Sequence, residues 1–213
     1  MAEKKTIITI GRQYGSGGHE IGATIAQDLG IKLYDKEMLK RAAKESGLCQ
    51  SLFEEHDEKP THSFLYSIIM ESYSGSFASS YTDMPINNKI FLAQFDTIKK
   101  IANEESCVIV GRCADYALAE YDNVINVFIY ADLENRIRRI SRMYDLPEEE
   151  AEEIIKKADK KRASYYNYYT NKTWGDAKGY DLCLNSGKLG IGGTAKAIMD
   201  YVKLKEKIEN PRL

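Results

Sequence analysis

The sequence predicts an α/β domain built on a mostly parallel sheet, and three features carry that reading. Short β-branched apolar runs alternate with stretches of helical periodicity. The first run passes straight into a glycine-rich turn and then a helix. The chain length of 213 residues suits one such domain with insertions better than two full domains.

Taken in order, Thr6–Gly11 reads as a buried strand because its β-branched residues end at glycine. Glu20–Leu29 has apolar positions at helical spacing and stops at Gly30. Ile31–Tyr34 is a short second strand, and Lys36–Glu45 a second helix closed by Gly47. The stretch 50–88 breaks the rhythm with charged turns and a Ser/Gly/Tyr-rich segment, and is expected to be a mostly helical insertion. Asn87–Glu105 follows as a long amphipathic helix, then strands at Cys107–Gly111 and Asn123–Ala131. A helix through Arg136, Arg138, Arg139 and Arg142 comes next. Pro147 is expected at the first helical position of another helix, with acids in its first turn, running to about Tyr169. Asp181–Asn185 is the fifth strand and Gly193–Lys207 the closing helix.

Composition narrows the function. Thirty basic residues against 32 acidic ones leave no basic excess, so a dedicated nucleic-acid binder is disfavoured. The longest apolar runs are strand-length, too short for a membrane span, and Met1–Lys5 lacks the apolar stretch of a signal peptide. Cys49, Cys107, Cys113 and Cys183 form no CxxC pair, which suits reduced thiols in the cytoplasm better than a disulfide framework or a zinc site.

The informative segment is Gly11-Arg12-Gln13-Tyr14-Gly15-Ser16-Gly17-Gly18-His19. Between a first strand and a first helix, such a loop aims backbone N–H groups and the positive helix end at one point, which is an anion site. An ordinary βα turn is the competing reading, but four glycines within residues 11–18 favour phosphate. In the GxxxxGK[ST] pattern a lysine reaches the β- and γ-phosphates and a hydroxyl holds magnesium. Here Gly18 stands at the lysine position and His19 at the hydroxyl position. Arg12 could supply the cation, Ser16 a hydroxyl, and His19 either a phosphate contact or nothing.

The runs GRQYGSGGHEIG, LYDKEML, CVIVGR and VFIYA together resemble the cytidylate kinase-like family. The resemblance extends in order over nearly the whole chain. It implies a P-loop NTPase fold: a five-stranded parallel sheet flanked by helices, one domain over 1–213, with a helical acceptor-binding insertion at 50–88 and a lid-like segment at 145–178. It further implies ATP-dependent phosphoryl transfer to a small acceptor, most readily a nucleoside monophosphate, with ATP and Mg2+ as cofactors. Gly15, Ser16, Gly17, Gly18 and His19 would then hold the donor phosphates. Asp35, Arg41 and Asp159 would face the acceptor, and Arg12, Arg112 and Arg162 would spread positive charge over the transferring group.

Each assignment has a plainer counterpart. Asp35 is equally an N-cap for the helix that begins at Lys36. Asp159 and Arg162 sit in a run whose other charges read as a solvated helix face, and among the arginines of the preceding helix Arg138 or Arg142 is the expected lid-side contact. Cys113 stands where the family pattern has aspartate after Gly111-Arg112, so the acceptor base is open, and Asp115 is either a substitute or a surface residue. Tyr165, Tyr166, Tyr168 and Tyr169 either pack on the core or on a second copy in a homodimer. Two rival functions remain: a nucleotide sensor that has lost turnover with its lysine, and a kinase for another small metabolite.

Overall fold

The structure is a computed structural model that describes residues 5–35, 41–42, 44–47 and 85–209. The expected insertion lies, up to residue 84, outside the described residues, as do positions 36–40 and 43 of the expected second helix. Five strands form one sheet: β1 (Ile7–Arg12), β2 (Lys32–Tyr34), β3 (Cys107–Val110), β4 (Val124–Tyr130) and β5 (Leu182–Asn185). Their order is β2-β3-β1-β4-β5, and every pairing is parallel. The helices are α1 (Gly18–Leu29), α2 (Ile86–Glu104), the short α3 (Ala114–Ala117), α4 (Leu133–Tyr144), α5 (Glu148–Thr170) and α6 (Ser186–Glu209).

Both faces of the sheet are covered, so its strands are mostly apolar and period 2 sorts their side chains. Ile8, Ile10, Val108, Val110, Ile125, Val127 and Ile129 pack with Ile21 and Ile25 of α1 and with Ala195, Ile198 and Val202 of α6. Their neighbours Ile7, Cys107, Ile109 and Val124 face the other way, towards Phe91, Leu92, Ile98 and Ile101 of α2 and towards α5. There the tyrosine run is core: Tyr165, Tyr166 and Tyr169 are buried. Phe91 and Tyr169 stack with ring centroids 4.1 Å apart and planes 5° from parallel. The Tyr169 and Tyr165 hydroxyls are accommodated by buried amides, Tyr169 donating to Asn88 Oδ1 and Tyr165 to Gln94 Oε1, both at 3.3 Å.

Two helix starts differ from expectation. Pro147 is the N-cap of α5 and not its first helical residue, because its ψ of 148° is extended while its carbonyl already accepts the Ala151 N–H at 3.0 Å. The closing helix begins at Ser186 and kinks at Gly190 (φ 68°, ψ 176°) before the periodic segment that the sequence marks. Among the described residues no helix is long and apolar enough to cross a membrane. Cys107, Cys113 and Cys183 are in no disulfide.

Strand order is what positions the site. Because all strands are parallel, the residues after β1, β2 and β3 emerge on one edge. The chain leaves the central β1 for β2 and β3 on one side and for β4 and β5 on the other. Crevices outside the carboxyl ends at such a switch point are where open α/β sheets bind ligands.

Candidate active site

The loop between β1 and α1 is built around two left-handed glycines, Gly15 (φ 78°) and Gly17 (φ 77°), the latter serving as N-cap of α1. This conformation is costly for any residue with a Cβ. At Gly15 a Cβ would also come within 3.1 Å of Ile140 Cγ1 and 3.2 Å of Arg136 Cβ, so α4 packs directly on the loop.

The loop is tied to the sheet on its inner side. Gln13 N–H donates to the Ile129 carbonyl (3.0 Å), and the Gln13 side-chain oxygen accepts from Ala131 N–H (3.2 Å). Ser16 is buried, and its hydroxyl donates to the Gln13 carbonyl at 2.9 Å. Ser186 Oγ donates to the Ser16 carbonyl at 2.7 Å. The Ser16 hydroxyl, expected as a ligand-facing group, is therefore engaged within the loop.

Arg12 and Gly18 occupy each other's space. A Cβ on Gly18 would lie 2.6 Å from Arg12 Cβ and 3.0 Å from Arg12 Cγ. The Arg12 guanidinium then crosses the end of β3, where a Cβ on Gly111 would be 2.2 Å from Nη1. The space beside the loop at position 18 is thus filled by a side chain that starts six residues earlier, with Gly18 leaving room for its stem and Gly111 for its guanidinium.

Beside it, Gly111, Arg112 and Cys113 take positive φ in succession (79°, 59° and 54°). Left-handed backbone at two consecutive non-glycine residues stores strain of the kind that clusters at ligand sites. It turns Arg112, almost completely buried, so that Nη2 lies 3.7 Å from Asp35 Oδ1. The other oxygen of Asp35 is 3.5 Å from His19 Nε2. His19, Asp35, Arg12, Tyr14, Gly17, Gly18, Arg139, Tyr144 and Arg162 all line one cavity of about 760 Å3.

The outer side of the loop is clamped by α4 and α5. Tyr14 N–H donates to Asp159 Oδ1 (2.7 Å), while Asp159 Oδ2 pairs with Arg136 Nη1 at 2.5 Å. Arg136 also donates to the carbonyls of Ala131 (3.0 Å) and Tyr14 (3.3 Å). Arg162 donates to the Arg12 carbonyl (3.2 Å), with its guanidinium carbon 5.3 Å from the Tyr14 ring centroid. Burial and the Tyr144 hydroxyl push the Tyr14 phenol up to about 12. Asp159 and Arg162 thus reach the loop, where they hold its backbone.

Arg41 stands apart. It pairs with Glu45 (2.9 Å) and Glu104 (2.6 Å), which raise its pKa, and it is not among the described residues lining the cavity. In α4 it is Arg136, and not Arg138 or Arg142, that meets α5; Arg138 lies exposed beside Glu134 and Asn135. The available signal was spacing, since Arg136 shares the inward helix face with Ile140. Asp115 is half-buried: burial raises its carboxyl above the usual range, against a 2.6 Å hydrogen bond donated by Tyr166.

A sheet of this order, with a glycine loop after its central strand, defines a P-loop protein of the kinase type. The family model for the cytidylate kinase-like family matches residues 7–188, and the chain belongs to that family. A crystal structure of an uncharacterized protein from Eubacterium ventriosum is similar at 31% identity and a TM-score of 0.70, over 93% of this chain and 99% of that one. The fold is shared with shikimate kinase from Bacteroides thetaiotaomicron (15% identity, TM-score 0.53, 93% and 98% covered). It is also shared with a gluconokinase from Sinorhizobium meliloti (11%, 0.53, 99% of each chain). No curated protein matches the chain.

Proposed function

We propose that this phosphotransferase-type protein moves the γ-phosphoryl group of ATP to a small acceptor, a nucleoside monophosphate first among candidates. The observation that supports the reading is the path of Arg12 beside the position of the absent lysine: its Cβ and Cγ fill the space over Gly18, and its guanidinium reaches Gly111 at the end of β3. Such a group binds phosphate oxygens in bidentate fashion and stabilises charge that develops during transfer.

Two cavities flank the loop on opposite sides of β1. The larger opens towards the ends of β2 and β3, at Asp35 and Val110. A second, of about 200 Å3, lies between Gly15–Ser16 and the turn Ser186–Ile191, with Asn135 and Arg139 at its wall. We assign the second to the donor base and the larger to the phosphates and the acceptor, with Arg112 and Arg162 beside the transferring group. The 145–178 segment would act as the lid, moving with α5, and catalysis would be positioning plus charge neutralisation.

Magnesium, which P-loop kinases generally use, has a poor first ligand here. An imidazole stands where the pattern has a hydroxyl, and the Ser16 hydroxyl is engaged within the loop.

One observation favours the sensor reading: the Tyr14 amide, at the tip of the anion loop, is already bonded to a carboxylate. Single-turnover transfer from γ-labelled ATP across a panel of nucleoside monophosphates and small alcohols tests both. Labelled product is expected with at least one monophosphate; nucleotide binding with no transfer to any acceptor would establish the sensor.

A further inference from the structure

His19 and Asp35 face each other across the mouth of the phosphate loop, at the ends of two different elements, α1 and β2. Their separation of 3.5 Å between Nε2 and Oδ2 is longer than the usual N–H···O hydrogen bond of about 2.7–3.2 Å. It is close to the edge of a metal polyhedron: two ligand atoms each ~2.0–2.1 Å from one tetrahedral ion are about 3.3 Å apart. The remaining oxygen of Asp35 is turned to Arg112, which fixes the carboxylate's orientation. The His19 side chain is more than half exposed towards the cavity it lines, so nothing has to be displaced for an ion to enter.

We propose that His19 Nε2 and Asp35 Oδ2 together hold a divalent transition-metal cation, of the Mn2+, Co2+ or Zn2+ class, in place of the Mg2+ that a hydroxyl at position 19 would serve. Imidazole suits Zn2+ and its first-row neighbours best, and Mn2+, the hardest of the class, accepts it more readily than Mg2+, which keeps oxygen ligands. Among the described residues no cluster of three or more His, Cys, Asp or Glu side chains could hold a metal, so the pair cannot close a coordination sphere by itself. Phosphate oxygens and water complete it, and strong metal binding therefore requires nucleotide. The assignment rests on the nucleotide-binding reading of the loop.

The test uses Mn2+ with the full chain and β,γ-methylene-ATP. Pulsed EPR of the ternary complex should show 14N modulation from a coordinated imidazole, and His19→Ser should abolish it. In His19→Ser and Asp35→Asn, Mn2+ affinity in the presence of the nucleotide should fall at least about tenfold. Nucleotide affinity measured without metal in each variant sets the baseline for that comparison, and His19→Thr should shift the preference towards Mg2+. Nucleotide binding with Mn2+ affinity and nitrogen coupling unchanged by His19→Ser would overturn the metal assignment alone. Failure of the wild type to bind nucleotide at all would overturn both it and the phosphoryl-transfer reading.

Discussion

Arg12→Ala removes the guanidinium that crosses Gly111 but leaves the Cβ that lies 2.6 Å from where a side chain at position 18 would begin. Loss of one charge-stabilising contact in a preorganised site costs ~10²–10³ in rate, or about 2.7–4 kcal/mol of transition-state stabilisation. Gly18→Lys in the unaltered background forces that Cβ contact, which real side chains do not tolerate. Overpacking of this kind costs about 1–3 kcal/mol of stability. The same clash persists in Arg12→Ala/Gly18→Lys, so that pair should not recover activity. Arg12→Gly/Gly18→Lys clears the space and returns a cation to the loop from the usual position. It should regain part of the lost rate, offset by about 1 kcal/mol for glycine within a strand. The assay is single-turnover transfer at saturating γ-labelled ATP and acceptor, with urea unfolding to measure stability. Full activity in Arg12→Ala, or undiminished stability in Gly18→Lys, would refute the exchange of the two positions.

Three further outcomes follow from the same geometry. Asp159→Ala leaves the nearly buried Arg136 guanidinium without its carboxylate and should cost about 2–3 kcal/mol in urea unfolding, with weaker nucleotide binding as the loop tip loosens. Asp115 holds its proton in the folded state at pH values where the unfolded chain has lost it, so its contribution to stability is full below about pH 4 and declines as pH rises. Asp115→Asn should remove that slope from a series of urea titrations; an unchanged slope would place the titration elsewhere. Tyr169→Ala removes a fully buried ring stacked on Phe91 and should destabilise by about 3–5 kcal/mol, read from the urea midpoint, without altering metal-free nucleotide affinity in the folded protein.

The strands were legible in the sequence because a sheet covered on both faces needs continuous apolar runs, and those runs stand out between polar helices. Thr6–Gly11 and Asn123–Ala131 were therefore found within about one residue of β1 and β4. The glycine loop was legible for a related reason: glycines clustered between a strand and a helix have few other uses. Helix starts were less so. Pro147 is compatible with both N-cap and first-turn positions, and only the extended ψ and the Ala151 hydrogen bond decide between them.

The sequence by itself determined the fold class, the glycine-rich loop and the absence of a lysine at position 18. The sheet decided which distant residues meet: Asp35 and Arg112 share an edge because β2 pairs with β3, although 77 positions of chain separate them. The same holds for Arg136 and Asp159, whose helices cross over the loop; in sequence they are two charges among many. The Arg12–Gly18 exchange is of this kind too. Nothing in the spacing says that an arginine leaving a strand will lie over a glycine that opens a helix, because that contact depends on the turn of the loop between them. Propensity and periodicity act over a few residues of chain, whereas a site of this type is assembled from strand ends brought side by side by hydrogen bonding across the sheet.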